Sequence, residues 1–344
     1  MKVVSPVPAD EWAELVASDP ESLGFQARSW VDAICSLGSW CDASRLYEFP
    51  DGGRFLLPLV RRAGPPAAAT WQGSFPAGWG TGGLVGAEQP SPHELAQIFA
   101  DLREQPVLRT SVRPNPVQDG AWAAARPPDV VRVPRLAHVL DLAGGFGEVW
   151  RKRFKGSART AVRRAERAGL VVECDTSGRL VPAYYRLYNL SLERWAVRQH
   201  EPRALALWRG RRRDPQRKLA AIARSLGDKC RLWLASHDGR PVAGILVVHA
   251  ANASYTRGAM DLELARRTSA NYLLHKLAIE QACAEGCRRY HMGETGTSAQ
   301  LAQFKTRFGA VGVPYGEYHV ERLPLTATDR RVRRAVKTVI GFRD

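Results

Sequence analysis

Two Asp-Gly pairs, at 51–52 and 238–239, constrain this chain more than any other feature, because each stands between two runs of apolar and β-branched residues. Asp-Gly supplies the positive φ angles of a tight hairpin turn, so the pairs predict antiparallel hairpins joining 44–49 to 54–60 and 231–236 to 241–249. After the second hairpin the pattern reads as a strand at 254–259, a helix opened by Ser269 and running to 285 with Leu273, Leu274 and Leu277 inward, and a strand at 288–292. A short helix and a last strand at 315–323 follow. Part of this order appears after the first hairpin. A stretch rich in Gly and Pro at 64–92 leads to a helix opened by Ser91, with Pro92 at its first position and Glu94 completing a capping box, and then to a strand at 106–112. A tandem α/β arrangement follows from the repeated order.

Between and around these units the reading is coarser. Helices are predicted at 10–17 and 29–37. The 64–92 stretch carries Trp71, Phe75 and Trp79, which either wall a substrate cleft or fold back on the core. Residues 127–134 read as a break, 137–142 as a strand and Gly144-Gly145 as a hinge. Helices are predicted at 157–168, 181–197 and 217–226, with a strand at 170–174. The division expected is 1–143, 144–325 and a basic tail at 326–344.

The 290–310 stretch, YHMGETGTSAQLAQFKTRFGA, holds the strongest candidate for chemistry. A strand end turns through Gly293-Glu294-Thr295-Gly296 into a helix capped by Thr297 with Gln300, and Gly309 stops it. Leu301, Phe304 and Phe308 form its inward stripe. Lys305 stands at the edge of that stripe, where it either snorkels to water or presents its charge to a sheltered cleft.

Fifty Lys and Arg stand against 34 Asp and Glu, a net charge of +16, which points to a polyanionic partner. The basic residues cluster. Arg159, Arg163, Arg164 and Arg167 crowd one face of the 157–168 helix, and Arg203, Arg209, Arg211, Arg212 and Arg213 surround Trp208. Each block is either a solvated face or a phosphate-backbone footprint, and two blocks with few carboxylates near them favour the second. The six cysteines form no CxxC pair and read as reduced thiols, and the eight histidines show no metal-binding spacing, so no metal or cofactor is expected. No segment has the length and apolarity of a signal or spanning helix, so a cytoplasmic protein without a membrane span is expected.

The order hairpin, strand, helix, strand, helix, strand is that of an acyltransferase fold of the GNAT type. The 290–310 stretch, the Ser269–Leu274 helix start and the basic segment 161–169 together resemble the Fem-like (FemABX) branch of the GNAT superfamily, over most of residues 140–320 and more weakly at 56–59. That branch includes aminoacyl-tRNA-dependent transferases that build peptidoglycan cross-bridges, and relatives that add amino acids to antibiotics. The resemblance implies two tandem GNAT-like subdomains with mixed sheets and flanking helices, and an amino acid moved from aminoacyl-tRNA to an amine acceptor, either a peptidoglycan precursor or a small molecule. It places Phe304 and Lys305 at the reaction centre, with the backbone at Phe304 aiding proton relay. Tyr255 and Arg257 take a cleft position and contact donor or acceptor. Glu294 either holds the acceptor amine or is an ordinary turn carboxylate. The tRNA contacts expected are Arg159, Arg163, Arg164, Arg167, Arg211 and Arg212.

Amide formation from an ester needs an oriented amine, a proton acceptor and a stabilised oxyanion, but no enzyme nucleophile, and the chain shows no nucleophile elbow. The alternative is an acyl-CoA-dependent N-acyltransferase of the same fold. Such enzymes cradle the CoA pyrophosphate with a Gly-rich loop at a helix N-terminus. Here residues 264–269, LARRTS, contain no glycine.

Overall fold

The computed structural model describes residues 1–296 and 298–339, and the side chains of all of these except 333, 334 and 337–339. The described residues form two compact units, Met1–Ala137 with Val313–Ala335, and His138–Gly312 with 336–339. The sequence division ran the second unit to 325. In the structure the chain comes back to the first unit at Val313, where Tyr318–Glu321 pair antiparallel with Arg109–Val112.

In the first unit the Asp-Gly hairpin forms as expected, with Arg45–Glu48 and Arg54–Leu57 in register and Lys2–Val4 added beside them. The strand expected at 54–60 is broken, because Pro58 has no N–H to give to a ladder. Beyond it Val60–Arg62 pairs with Trp40–Asp42 and Trp71–Gly73 instead. The helix Pro92–Glu104 is capped as predicted: Ser91 Oγ accepts from Glu94 N at 3.2 Å, and Glu94 Oε2 accepts from Ser91 N at 2.7 Å. Of the aromatics in the 64–92 stretch, two belong to the core and Trp71 is half-buried. Phe75 and Trp79 are buried, Trp79 meets Trp30 edge-on at 5.6 Å, and Trp71 meets Trp40 edge-on at 4.7 Å. Of the break expected at 127–134, residues 127–130 form a turn, and 131–134 already belong to the strand Val131–Asp141.

The second unit is built on a mixed sheet in the order Val171–Asp175, Cys230–His237, Arg240–His249, Ala253–Met260, Arg289–Glu294. Its second hairpin also forms as predicted. Val242–His249 is buried at every position, so both faces of that central strand are covered. The helices Val181–Arg198 and Ala270–Ala284 both pack on it. Gly244 is required at one contact, since a Cβ there would lie 2.8 Å from the Tyr184 ring. The basic helix, Gly156–Glu166, buries Ala158, Val162 and Ala165, the last two against Leu273. Two further segments, for which no element was expected, are helical: the basic block is the helix Arg203–Arg213, and residues 264–268 lie in the helix Leu262–Thr268. The six cysteines are free thiols, and no helix among the described residues is long and apolar enough to cross a membrane.

Candidate active site

The site begins where two strands part. Ala253–Met260 and Arg289–Glu294 run parallel in register only at Ala253↔Tyr290 and Ser254↔His291. On the other side of Ala253–Met260, Leu246 pairs with Arg257 but Val247 with Tyr255, so Thr256 is the extra residue of a bulge. A bulge bends its strand and re-aims side chains. Beside it opens a cavity of about 570 Å³, lined by residues 255–258, by Glu294, by Ser298 and Lys305 of the helix segment, and by residues of the helices Val181–Arg198 and Arg203–Arg213.

Lys305 stands in the helix Ala299–Arg307. Its N-cap is Ser298, whose Oγ accepts from Leu301 N at 3.3 Å. The capping residue read from the sequence, Thr297, lies outside the described residues. Leu301, expected inward, is 38% exposed at the cavity rim, whereas Phe308 is fully buried. Lys305 does not snorkel. It is 1% exposed, and its Nζ donates to the carbonyl oxygens of Gly293 at 2.7 Å and Glu294 at 2.8 Å. The turn supplies these acceptors because Gly293 adopts φ 72°, a left-handed backbone that favours glycine. Burial pushes the Lys305 pKa down to about 7, with the Glu294 charge acting the other way. A lysine so placed exchanges a proton at neutral pH, which an exposed one does not.

An aromatic box holds that helix. Phe304 lies 5.2 Å from both Tyr272 and Phe308, and 5.5 Å from His275. His275 is buried, faces Tyr255 at 4.9 Å and Tyr290 Oη at 3.4 Å, and is pushed to about 3 by burial and by the Lys305 charge, so it is neutral. Tyr255 is pushed up to about 12 by burial and stays a phenol. The sequence reading missed His275. Its only signal was a polar residue on the inward face of an apolar helix.

Arg257 reaches a second buried group that the sequence reading missed. Asp214 accepts from Lys218 Nζ at 2.8 Å, Arg213 Nε at 2.9 Å and Tyr188 Oη at 3.0 Å, and pairs with Arg257 Nη2 at 3.3 Å. Burial acts to raise its pKa, yet Lys218, Arg257 and Arg213 together hold it far below the usual carboxylate range. Arg257 is thereby fixed over the Tyr188 ring at 5.7 Å, at the cavity wall.

The basic blocks divide. Arg159 donates to the carbonyl oxygens of Trp150 and Arg151, at 3.3 and 3.2 Å, and Arg164 holds Ser269 Oγ and Arg266 O at 2.8 and 3.0 Å. Those two arginines tie the helix Gly156–Glu166 to its neighbours. Arg163 and Arg167 are exposed along the same helix. In the other block Arg203 pairs with Glu193, Arg209 with Glu201 and Arg213 with Asp214, so carboxylates flanking the block neutralise part of what looked like an open patch. Arg211, bonded to the neutral Asn189, and Arg212, over the Trp208 ring at 5.3 Å, remain on the surface.

Residues 152–306 match the acetyltransferase (GNAT) domain family. No curated protein matches the chain in sequence. Among solved structures, FemX is similar with a TM-score of 0.70 at 13% identity, over 93% of this chain and 97% of that one. A conserved protein of unknown function from Bacteroides thetaiotaomicron is similar with a TM-score of 0.56 at 10% identity, over 91% and 97%. At these identities the likeness is one of fold.

Proposed function

From a chain that has the fold of the Fem-like branch of the GNAT superfamily, two α/β GNAT-like units in tandem with the matched acyltransferase domain inside the second, we propose an aminoacyltransferase that moves an amino acid from aminoacyl-tRNA to an amine acceptor. The observation that carries this reading is the buried Lys305 ammonium, held by the Gly293 and Glu294 carbonyls at a cavity opened by diverging strands. The acceptor nitrogen attacks the ester carbonyl carbon. The tetrahedral oxyanion forms beside Lys305, the C–O bond to the ribose breaks, and the proton lost by the amine goes to the departing ribose oxygen. Lys305 stabilises the oxyanion while protonated and relays that proton, the chemistry a pKa near neutrality suits best. Tyr255, Arg257 and Glu294 line the place where the acceptor sits. Against acyl-CoA as donor stands the stretch 264–269, LARRTS, which has no glycine to bring its backbone close to a pyrophosphate.

The test is transfer from labelled aminoacyl-tRNA, run beside acetyl-CoA with the same amines. Transfer from acetyl-CoA alone overturns the proposal. Two further outcomes are expected. We assign donor contacts to Arg163, Arg167, Arg211 and Arg212, and structural roles to Arg159 and Arg164. Changing those four to Gln raises KM for tRNA about tenfold or more, flattens the salt dependence of binding and leaves kcat near wild type, as loss of phosphate contacts predicts. A collapse of kcat at constant KM would place them in the reaction centre instead. The single-turnover rate should also fall as pH rises through about 7, where Lys305 loses its proton. That limb should vanish in Lys305→Arg, whose guanidinium stays charged. An unchanged limb in the variant assigns the titration to another group.

A further inference from the structure

Lys305 aside, which two carbonyl oxygens hold, two cations of the cavity form no ion pair among the described residues: Arg198, which is exposed, and Arg194, which is half-buried. Arg209 pairs with Glu201, and Arg213 and Arg257 share Asp214. Arg194 projects from the helix Val181–Arg198, with Nη1 donating to Met260 O at 3.2 Å and the guanidinium 5.8 Å from the Trp195 ring. Its surroundings add positive charge rather than remove it. Burial and the charges of Arg198 and Arg266 all lower its pKa, and only Asp261 opposes them. The Asp261 carboxylate is already engaged, since its Oδ1 accepts from Leu264 N at 3.2 Å to cap the next helix. Beside the same Met260, the Asn271 Nδ2 lies 3.4 Å from Sδ, and its Oδ1 is buried with no partner. Both Arg194 and Asn271 line the cavity that holds Lys305.

Holding a guanidinium half out of water without an anion is costly, and the cost is recovered when a ligand brings the anion. We propose that Arg194, with Arg198 beside it, binds an oxyanion group of the acceptor, a carboxylate or a phosphate, so that the acceptor is an amine that also carries an anion and not a simple amine. This rests on the acceptor entering the same cavity as Lys305. The anion then fixes one end of the molecule and leaves its nitrogen to be presented at the reaction centre, which is how remote binding energy orients an attacking group.

Calorimetry on the free protein, without tRNA, tests the assignment with pyrophosphate and succinate as probes. Wild type is expected to bind at least one of them, and a preference tells phosphate from carboxylate. Arg194→Met should weaken that binding about tenfold or more, the worth of a charge-assisted hydrogen bond, and Arg240→Gln, on the exposed second hairpin, should leave it unchanged. Arg194→Lys, which keeps the charge in the same place, should give an intermediate loss and guards against misfolding of the methionine variant. Failure of wild type to bind either anion, or wild-type affinity in both Arg194 variants, overturns the proposal. Because no tRNA is present, an enzyme that uses aminoacyl-tRNA but binds anions independently of Arg194 refutes this site alone. One that binds anions through Arg194 and rejects aminoacyl-tRNA refutes the donor alone.

Discussion

Lys305→Ala lowers the single-turnover rate of transfer from a preformed aminoacyl-tRNA complex by about 10²–10³, equivalent to roughly 3–4 kcal/mol of transition-state stabilisation, while tRNA affinity and fold are kept. The magnitude is that of losing one preorganised donor in a water-poor site, and Lys305 is 1% exposed with its Nζ fixed by two carbonyl groups. Stability should move the other way. The folded pKa of about 7 lies below the ordinary 10.5, so the folded protein holds fewer protons on this group than the unfolded chain between those values. Stability therefore rises with pH across that window, and the burdensome charged form is fully present below it. Lys305→Met should remove this rise and be at least as stable as wild type at pH 6. A variant with near-normal transfer rate would reduce Lys305 to a buried tie between a helix and a turn.

The features legible in the sequence were those set by neighbours along the chain. The two Asp-Gly hairpins, the Ser91–Glu94 box and the apolar run of the central strand follow from turn chemistry, capping and period, and all three formed as expected. Five residues named from the resemblance, Tyr255, Arg257, Glu294, Phe304 and Lys305, line one cavity, whereas periodicity left Lys305 between two readings. What decided between them was where the Gly293 and Glu294 carbonyls point, and no pattern of residue types carries that. The same limit explains the basic blocks. Arg209 and Arg213 looked unneutralised beside one another, yet buried Glu201 and Asp214 meet them. The LARRTS stretch shows the limit from another side: its lack of glycine bore on the donor and not on the local backbone, which is helical over Leu262–Thr268.

Asp214→Ala is expected to destabilise the protein by about 3–5 kcal/mol, the cost of removing one partner from a buried ion pair. Lys218 is the reason. Its side chain is 4% exposed and it bonds Asp214 at 2.8 Å, so the variant takes the carboxylate away from a buried ammonium. Burial already pushes Lys218 down to about 8 with Asp214 in place. Arg213 and Arg257 lose their anchor at the same time, so the cavity wall at Arg257 should loosen as well. For Asp214 itself the folded pKa is depressed, so its stabilising share is present above the ordinary carboxylate value and disappears as pH falls through the folded one. Urea unfolding at pH 7 measures the loss. Asp214→Ala combined with Lys218→Met should recover part of it, because the second change removes the buried ammonium and keeps the stem volume. A loss below about 1 kcal/mol, or a double variant no better than the single one, would mean that Asp214 is reached by water and that Arg257 is held at the cavity by its stacking on Tyr188 alone.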